Sequence, residues 1–283
     1  MTQPAIRPML PEDVDPSIDM ITTHDGDVSR EFLAFATSQA ACVPMVAETD
    51  GTIVGTGVGT LSGSAGWIGT IFLVPAWRGQ GIGRVLTQAV IDRLESAGAR
   101  TLVLVATAAG RRLYSRMGFE VQTRYRILEA PGLAARDRPA PTAGPSVRPF
   151  EPGDLVGMAA LDRAGTGEDR RHILERFATT ESARVLARGD GSIDAFVVRA
   201  PWGGGATVAR SPEAAAAIIM ERRLRSGPDG RVRVGLLQEN ADGLARLADA
   251  GFSPSWSAPR MIRGDALDWH PDWIWGQFNH AIG

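Results

Sequence analysis

The chain has 283 residues, 44% of them apolar and 22% charged, with a net charge of −2. That composition describes a globular chain long enough for two domains, each with its own core. It excludes a strongly basic nucleic-acid binder, because the 30 basic residues, all arginines, are scattered along the chain.

A first strand is predicted over Ala5–Pro8, then helical segments over Pro11–Thr22 and Asp27–Thr37, with His24 on the loop between them. Strands follow over Pro44–Glu48 and Thr52–Leu61. They are joined by Thr49-Asp50-Gly51, a hairpin signal because Asp-Gly tolerates positive φ. Cys42 is the single cysteine, so no intrachain disulfide can form, which fits a reducing compartment. Beside Ala41 and Val43 it reads as packed core. No apolar run reaches membrane-spanning length and no basic-then-apolar leader opens the chain. A cytoplasmic location without membrane attachment is expected.

The next strand, Gly66–Val74, runs through Pro75-Ala-Trp-Arg78-Gly79-Gln80-Gly81-Ile82-Gly83-Arg84 into an amphipathic helix carrying Val85, Leu86, Ala89, Val90 and Leu94. Glycines let the backbone approach a ligand, and the first amides of a helix lack intrahelical partners at the positive end of its dipole. Strand, glycine turn and helix together suit a phosphate or pyrophosphate, and Arg84 adds a positive charge. Three readings compete. A P-loop needs Gly-Lys-Ser/Thr, and the chain contains no lysine. A dinucleotide fingerprint needs a third glycine where Arg84 or Leu86 stands, and an acid where the strand Thr101–Ala106 gives way to Thr107. What remains is Arg/Gln-x-x-Gly-x-Gly, met by Arg78, Gly81 and Gly83.

The surroundings extend that motif. Leu73-Val74-Pro75 precedes the loop. After strand 101–106 comes a predicted helix, Ala108–Met117, with Leu113-Tyr114, and then Gly118-Phe119 and a closing strand over Phe119–Leu128. This pattern resembles the GNAT superfamily of N-acetyltransferases. The family's Asn-x-x-Ala-x-x-Leu-Tyr run appears with Thr107 and Gly110 in place of Asn and Ala. The resemblance implies an α/β fold of mixed α+β type, in which a central sheet with two splayed strands is flanked by helices. It implies acetyl-CoA as co-substrate and no metal. By the same resemblance the cofactor-binding residues are Phe72, Leu73, Val74, Arg78, Gly79, Gln80, Gly81, Ile82, Gly83, Arg84, Thr107 and Gly110. The pantetheine arm would pair with backbone groups of Phe72, Leu73 and Val74, one of them polarising the thioester carbonyl.

The chain also repeats itself. Ala5-Ile-Arg-Pro-Met-Leu-Pro-Glu-Asp-Val14 returns as Ser146-Val-Arg-Pro-Phe-Glu-Pro-Gly-Asp-Leu155. Strand 231–237, Asn240-Ala-Asp-Gly243 and Gly251-Phe252 parallel strand 101–106, Thr107–Gly110 and Gly118-Phe119. Tandem GNAT-like domains follow: residues 1–129 bind CoA and catalyse, 130–145 form a Pro/Ala/Gly-rich semi-rigid linker, and 146–283 form a degenerate copy. In that copy Arg210-Ser-Pro-Glu213 replaces the glycine loop and Leu247 the tyrosine. Glu213 places a negative charge where pyrophosphate would lie. The run Asp268–Phe278 suggests a docked helix, with Ile274 and Phe278 at i and i+4.

For function, the resemblance makes Tyr114 the general acid that protonates the departing thiolate. The strand 66–74 has no acid, so Glu48 and His24 are the titratable candidates for base, with a water chain as the alternative. The expected reaction is acetyl transfer from acetyl-CoA to the primary amine of a small molecule. The degenerate copy would help to form the acceptor pocket, and Trp67, Trp202 and the tail tryptophans could face an aromatic or cationic acceptor. A CoA-binding sensor without turnover and a protein lysine or N-terminal acetyltransferase stay open. No nucleic acid or membrane partner is expected, and a homodimer is compatible with the sequence.

Overall fold

The computed structural model describes residues 3–138 and 146–283. Two compact units divide the chain. Unit 1 comprises residues 1–120, 261–266 and 279–283, and unit 2 comprises residues 121–260 and 267–278.

In unit 1 the elements are β1 (Ala5–Pro8), α1 (Val14–Thr23), α2 (Arg30–Ser38), β2 (Cys42–Thr49), β3 (Thr52–Ser62), β4 (Ala65–Leu73), α3 (Ile82–Ser96), β5 (Thr101–Val105) and α4 (Ala108–Arg116). The order β1-β2-β3-β4-β5 is antiparallel up to β4 and parallel between β4 and β5. At the β2–β3 hairpin Asp50 and Gly51 both take positive φ, as the Asp-Gly signal requires. The expected helix from Pro11 opens instead as a 3₁₀ turn, Pro11–Asp13, and the second helix starts at Arg30 because Ser29 caps it, accepting from the Phe32 N–H. One face of the sheet buries α3 through Leu86, Val90, Ile91 and Leu94 against Ile68, Leu102 and Leu104.

Unit 2 holds β6 (Glu120–Pro131), β7 (Val147–Pro149), α5 (Leu155–Thr166), α6 (Arg171–Phe177), β8 (Ala183–Ala187), β9 (Ile193–Arg199), β10 (Gly205–Ala209), α7 (Pro212–Ser226), β11 (Arg231–Leu237), α8 (Ala241–Asp249), most of β12 (Ser253–Gly264) and β13 (Ile274–Gly276). The internal repeat is visible at atomic detail. Arg7 grips both oxygens of Asp13 while Asp13 accepts from the Leu10 N–H. Arg148 grips both oxygens of Asp154, which accepts from the Glu151 N–H.

The units divide elsewhere than at residues 129 and 146. Only Glu120 of β6 belongs to unit 1. The rest runs antiparallel to β11, with Tyr125 opposite Leu237 and Pro131 opposite Arg231. In exchange, Met261–Gly264 at the end of β12 belongs to unit 1 and takes the place beside β5. There Met261 enters the α3 core, Arg263 pairs with Glu95, and the Thr101 hydroxyl donates to the Asp265 carbonyl. The reason lies in the repeat: β6 and β12 each leave a Gly-Phe turn, so each strand fits the sheet made by the other copy. The expected linker 130–145 lies partly outside the described residues. Its start is not free, since Gly132 and Leu133 donate to the Gly230 and Arg223 carbonyls within unit 2.

Candidate functional site

The site of unit 1 begins where two strands part. β4 pairs with β5 only from Ala65 opposite Thr101 to Ile68 opposite Leu104. Beyond Ile68 a bulge interrupts the β3–β4 ladder between Thr56 and Val58, and Thr70 sits at φ +54. A β-branched residue in that region is strained by about 1–3 kcal/mol. It is held there in part by the Thr56 hydroxyl, which donates to the Thr70 carbonyl at 3.1 Å. The bulge turns Gly69–Leu73 away from β5 and opens a slot with β4 as one wall.

At the far end of that wall the glycine loop meets α3. Pro75–Trp77 form one 3₁₀ turn, and Gly79 and Gly81 then take φ +76 and +83. A Cβ on either glycine would meet nothing within 4 Å. Glycine is thus required by the backbone and not by crowding, and the loop surface is open to a ligand. Among the described residues no backbone carbonyl accepts from the N–H groups of Gly79, Gln80, Gly81, Ile82 or Gly83. Arg84 and Val85 are the first to bond back, both to the Gly81 carbonyl. Five successive amides at a helix N-terminus make an anion cradle. Arg78 serves the loop's shape: its Nε donates to the Leu73 carbonyl at 2.9 Å and its guanidinium lies over the Phe72 ring.

The three expected pantetheine partners are not equivalent. The Val74 N–H donates to the Val54 carbonyl at 3.0 Å and is committed to β3. The Phe72 carbonyl also faces β3, only 2.8 Å from where a Cβ on Gly55 would stand. Backbone groups alternate along a strand, so Leu73 alone of the three turns its N–H to the slot. The assignment of Phe72 and Val74 backbone groups to a ligand is corrected accordingly.

On the other side of the slot Thr107 caps α4, its hydroxyl accepting from the Gly110 N–H at 3.1 Å. That hydroxyl replaces the family's asparagine as a cap. Gly110 replaces alanine because a Cβ there would stand 2.8 Å from the Tyr114 ring, which folds back over it. Tyr114 is 9% exposed and packs edge-on to Phe119. Burial pushes its phenol up to about 12, so it stays protonated at any working pH.

The two candidate bases fare differently. The Glu48 carboxylate accepts from Arg7 Nε at 2.6 Å, beside the edge strand β1. This ion pair commits it to the β1–β2 frame. His24 caps the end of α1, and Gly26, two residues on, lies against the Phe72 ring, so its loop borders the slot-bearing strand. Trp67 is 1% exposed inside unit 1, and Trp202 packs on Phe177 while its indole donates to the Phe278 carbonyl. Neither is placed to receive an acceptor. Cys42 is buried near Thr60 and its thiol is pushed up to about 11, which leaves it unreactive. Among the described residues no group of three or more His, Cys, Asp or Glu could hold a metal, and no helix is long and apolar enough to cross a membrane.

Sequence reasoning missed the segment 279–283. It belongs to unit 1 and lies against Gly69, where a Cβ would stand 2.6 Å from the Ala281 Cβ and 2.7 Å from the His280 carbonyl oxygen. The one available signal was a glycine inside an otherwise bulky strand, which marks a close backbone approach.

The matching place in unit 2 carries a capped helix start instead of a glycine loop. Ser211 caps α7, accepting from the Ala214 N–H, Pro212 removes one amide, and Glu213 pairs with Arg246 of α8 at 2.5 Å. The run expected to form a docked helix is instead a 3₁₀ turn, Pro271–Trp273, followed by β13. β13 pairs antiparallel with β10, Thr207 opposite Gly276 and Val208 opposite Ile274, and also touches β11. Strands β10 and β11 correspond to β4 and β5, so the chain's own strand occupies the unit 2 slot. An extended segment there satisfies the open strand edge, as a helix could not. Trp275, 1% exposed, packs on Gly243 of α8 beside Leu247.

Comparison with known proteins agrees with this architecture. Residues 12–119 match the family described as Acetyltransferase (GNAT) family, and residues 158–276 match one described as Acetyltransferase (GNAT) domain. No curated protein matches the chain. Among solved structures, a Pyrococcus horikoshii protein assigned as an acetyltransferase superposes with a TM-score of 0.79 at 22% identity, covering 100% of this chain and 97% of that one. A GCN5-related N-acetyltransferase from Sphaerobacter thermophilus gives 0.64 at 19% identity, covering 94% and 98%. A tandem GNAT protein from the clavulanic acid biosynthesis pathway gives 0.63 at 16%, covering 93% and 98%.

Proposed function

Both halves of this chain belong to the GNAT acetyltransferase family, and from that membership we propose that unit 1 is an acetyl-CoA-dependent N-acetyltransferase acting on the primary amine of a small molecule. One observation carries the reading: five consecutive amides, Gly79 to Gly83, stand without backbone acceptors at the N-terminus of α3, at the end of a strand that has left its neighbour. Two linked phosphates suit that cradle, and an anion at a helix N-terminus gains roughly 0.3–2 kcal/mol from the dipole. The amide-bearing arm of the same cofactor then runs along β4, where Leu73 offers its N–H. Tyr114 supplies the proton that the departing thiolate takes up.

A second reading has one observation in its favour. β4 carries no acid and Glu48 is bound to Arg7, as suits a CoA-responsive module that does not turn over. Thermal unfolding with and without acetyl-CoA, followed by thiol release across a library of primary amines, separates the two. An enzyme gives a stabilising shift and turnover on a subset of amines. A shift with turnover on none of them supports the sensor, and no shift at all removes both.

A further inference from the structure

We propose that Thr56 is a positioning residue for the amide-bearing arm of the cofactor in unit 1, an assignment that rests on the acetyl-CoA reading above. Its register places it at the root of the slot. Thr56 stands opposite Phe72 and Val58 opposite Gly69, so Thr70 and Ile71 together face Gly57. Two residues against one make a β-bulge, in which the extra residue loses its ladder partner. Thr70 lies outside the β3 register and beyond Ile68, the last β4 residue paired with β5. Its carbonyl instead accepts from the Thr56 hydroxyl at 3.1 Å, and Thr56 is fully buried.

The bulge re-phases the strand. Ile68 and Ile71 are three residues apart, yet both pack into the α3 core, where strict alternation would turn Ile71 to the opposite face. Gly57 makes the room, since a Cβ there would stand 2.8 Å from Ile71 Cδ1 and 3.3 Å from Val90 Cγ2. Packing thus fixes the side chain of Ile71, and the Thr56 hydroxyl fixes the peptide before it, with Thr70 held at φ +54. The glycine loop is anchored separately. β4 rejoins β3 at Phe72 and Leu73, and the Val74 N–H donates to the Val54 carbonyl at 3.0 Å. Loss of the Thr56 bond therefore loosens the stretch of wall at Thr70 and Ile71, where the thioester end of the arm would lie. The phosphate cradle keeps its shape.

Calorimetry on the full chain with two ligands tests this. Acetyl-CoA carries pyrophosphate and arm, whereas adenosine 3′-phosphate 5′-diphosphate carries the pyrophosphate alone. Thr56→Val is expected to weaken acetyl-CoA binding about tenfold and to leave the armless nucleotide within about twofold. Thr56→Ser, which keeps the hydroxyl, should restore acetyl-CoA binding. Thr56→Cys, a weaker donor of similar shape, should show the same selective loss in smaller degree and serves where the valine variant does not fold. With any amine that the unaltered chain acetylates, Thr56→Val should lower kcat by up to about 10²-fold through misplacement of the thioester. Equal weakening of both ligands, undiminished acetyl-CoA binding by Thr56→Val, or no rescue by Thr56→Ser overturns the assignment alone. Failure of the unaltered chain to bind either ligand overturns it together with the acetyl-CoA reading.

Discussion

The glycine in the first turn of α4 and its counterpart in α8 show how one scaffold has been put to two uses. Gly110 yields its space to the Tyr114 ring, and Gly243 yields its space to the Trp275 indole. In unit 1 the ring that fills the space is the phenol of Tyr114, borne on α4 itself. In unit 2 it belongs to β13, which enters the slot itself. The two halves thus differ less in fold than in what satisfies the strand edge after the sheet splays. Unit 1 leaves the loop amides without backbone acceptors among the described residues, whereas unit 2 satisfies the matching edge with β13 and the matching helix start with the Ser211 cap.

The sharpest way to break this comparison is to remove the one hydroxyl. Tyr114→Phe is expected to slow turnover by about 10³-fold while leaving acetyl-CoA affinity unchanged, whereas Leu247→Ala should leave the rate alone. Parallel kinetic and binding measurements on the two variants decide the matter, and equal turnover would take Tyr114 out of the chemistry. Next comes the plug. Trp275→Ala empties a core position and should cost about 3 kcal/mol of stability, read by denaturant unfolding, with no change in CoA stoichiometry. A second bound CoA in that variant would show that unit 2 keeps a latent site.

Much of this was legible in the sequence, and the parts that were not have physical causes. The repeat of Arg7 and Asp13 in Arg148 and Asp154 predicted two copies of one entry motif, and the Asp-Gly hairpin and glycine loop predicted the backbone of unit 1 closely. These are local signals, set by φ and by side-chain-to-backbone bonds. The exchange of β6 and β12 was hidden, because both strands follow an identical Gly-Phe turn and nothing local records which sheet each joins. The tail misled for a similar reason. Ile274 and Phe278 keep helical spacing, yet an open edge on β10 dictates strand geometry from a distance. The place of segment 279–283 escaped notice because it is set only by where Gly69 lets the chain pass.

Two smaller effects sharpen the picture further. Gly110→Ala would drive a methyl against the Tyr114 ring and is expected to lower kcat by about tenfold, with binding intact, through displacement of the phenol. A steady-state comparison with the unaltered chain checks it. The smallest effect concerns pH. Burial raises the Tyr114 phenol from 10 to about 12, so its neutral form is favoured in the folded state. That contribution is complete below pH 10 and is lost as pH rises through 12. Stability against urea in Tyr114→Phe should accordingly fall less between pH 10 and 12 than in the unaltered chain.

Acetyl-CoA calorimetry on the full chain, unaltered and carrying Gly81→Asp, puts the contrast between the halves to its most direct trial. The aspartate would have to adopt φ +83 and would set a carboxylate among the five amides. One CoA per chain, weakened at least 100-fold by that substitution, is the expected result. Two CoA per chain, or one held undiminished by Gly81→Asp, would contradict a ligand site confined to the glycine loop of unit 1.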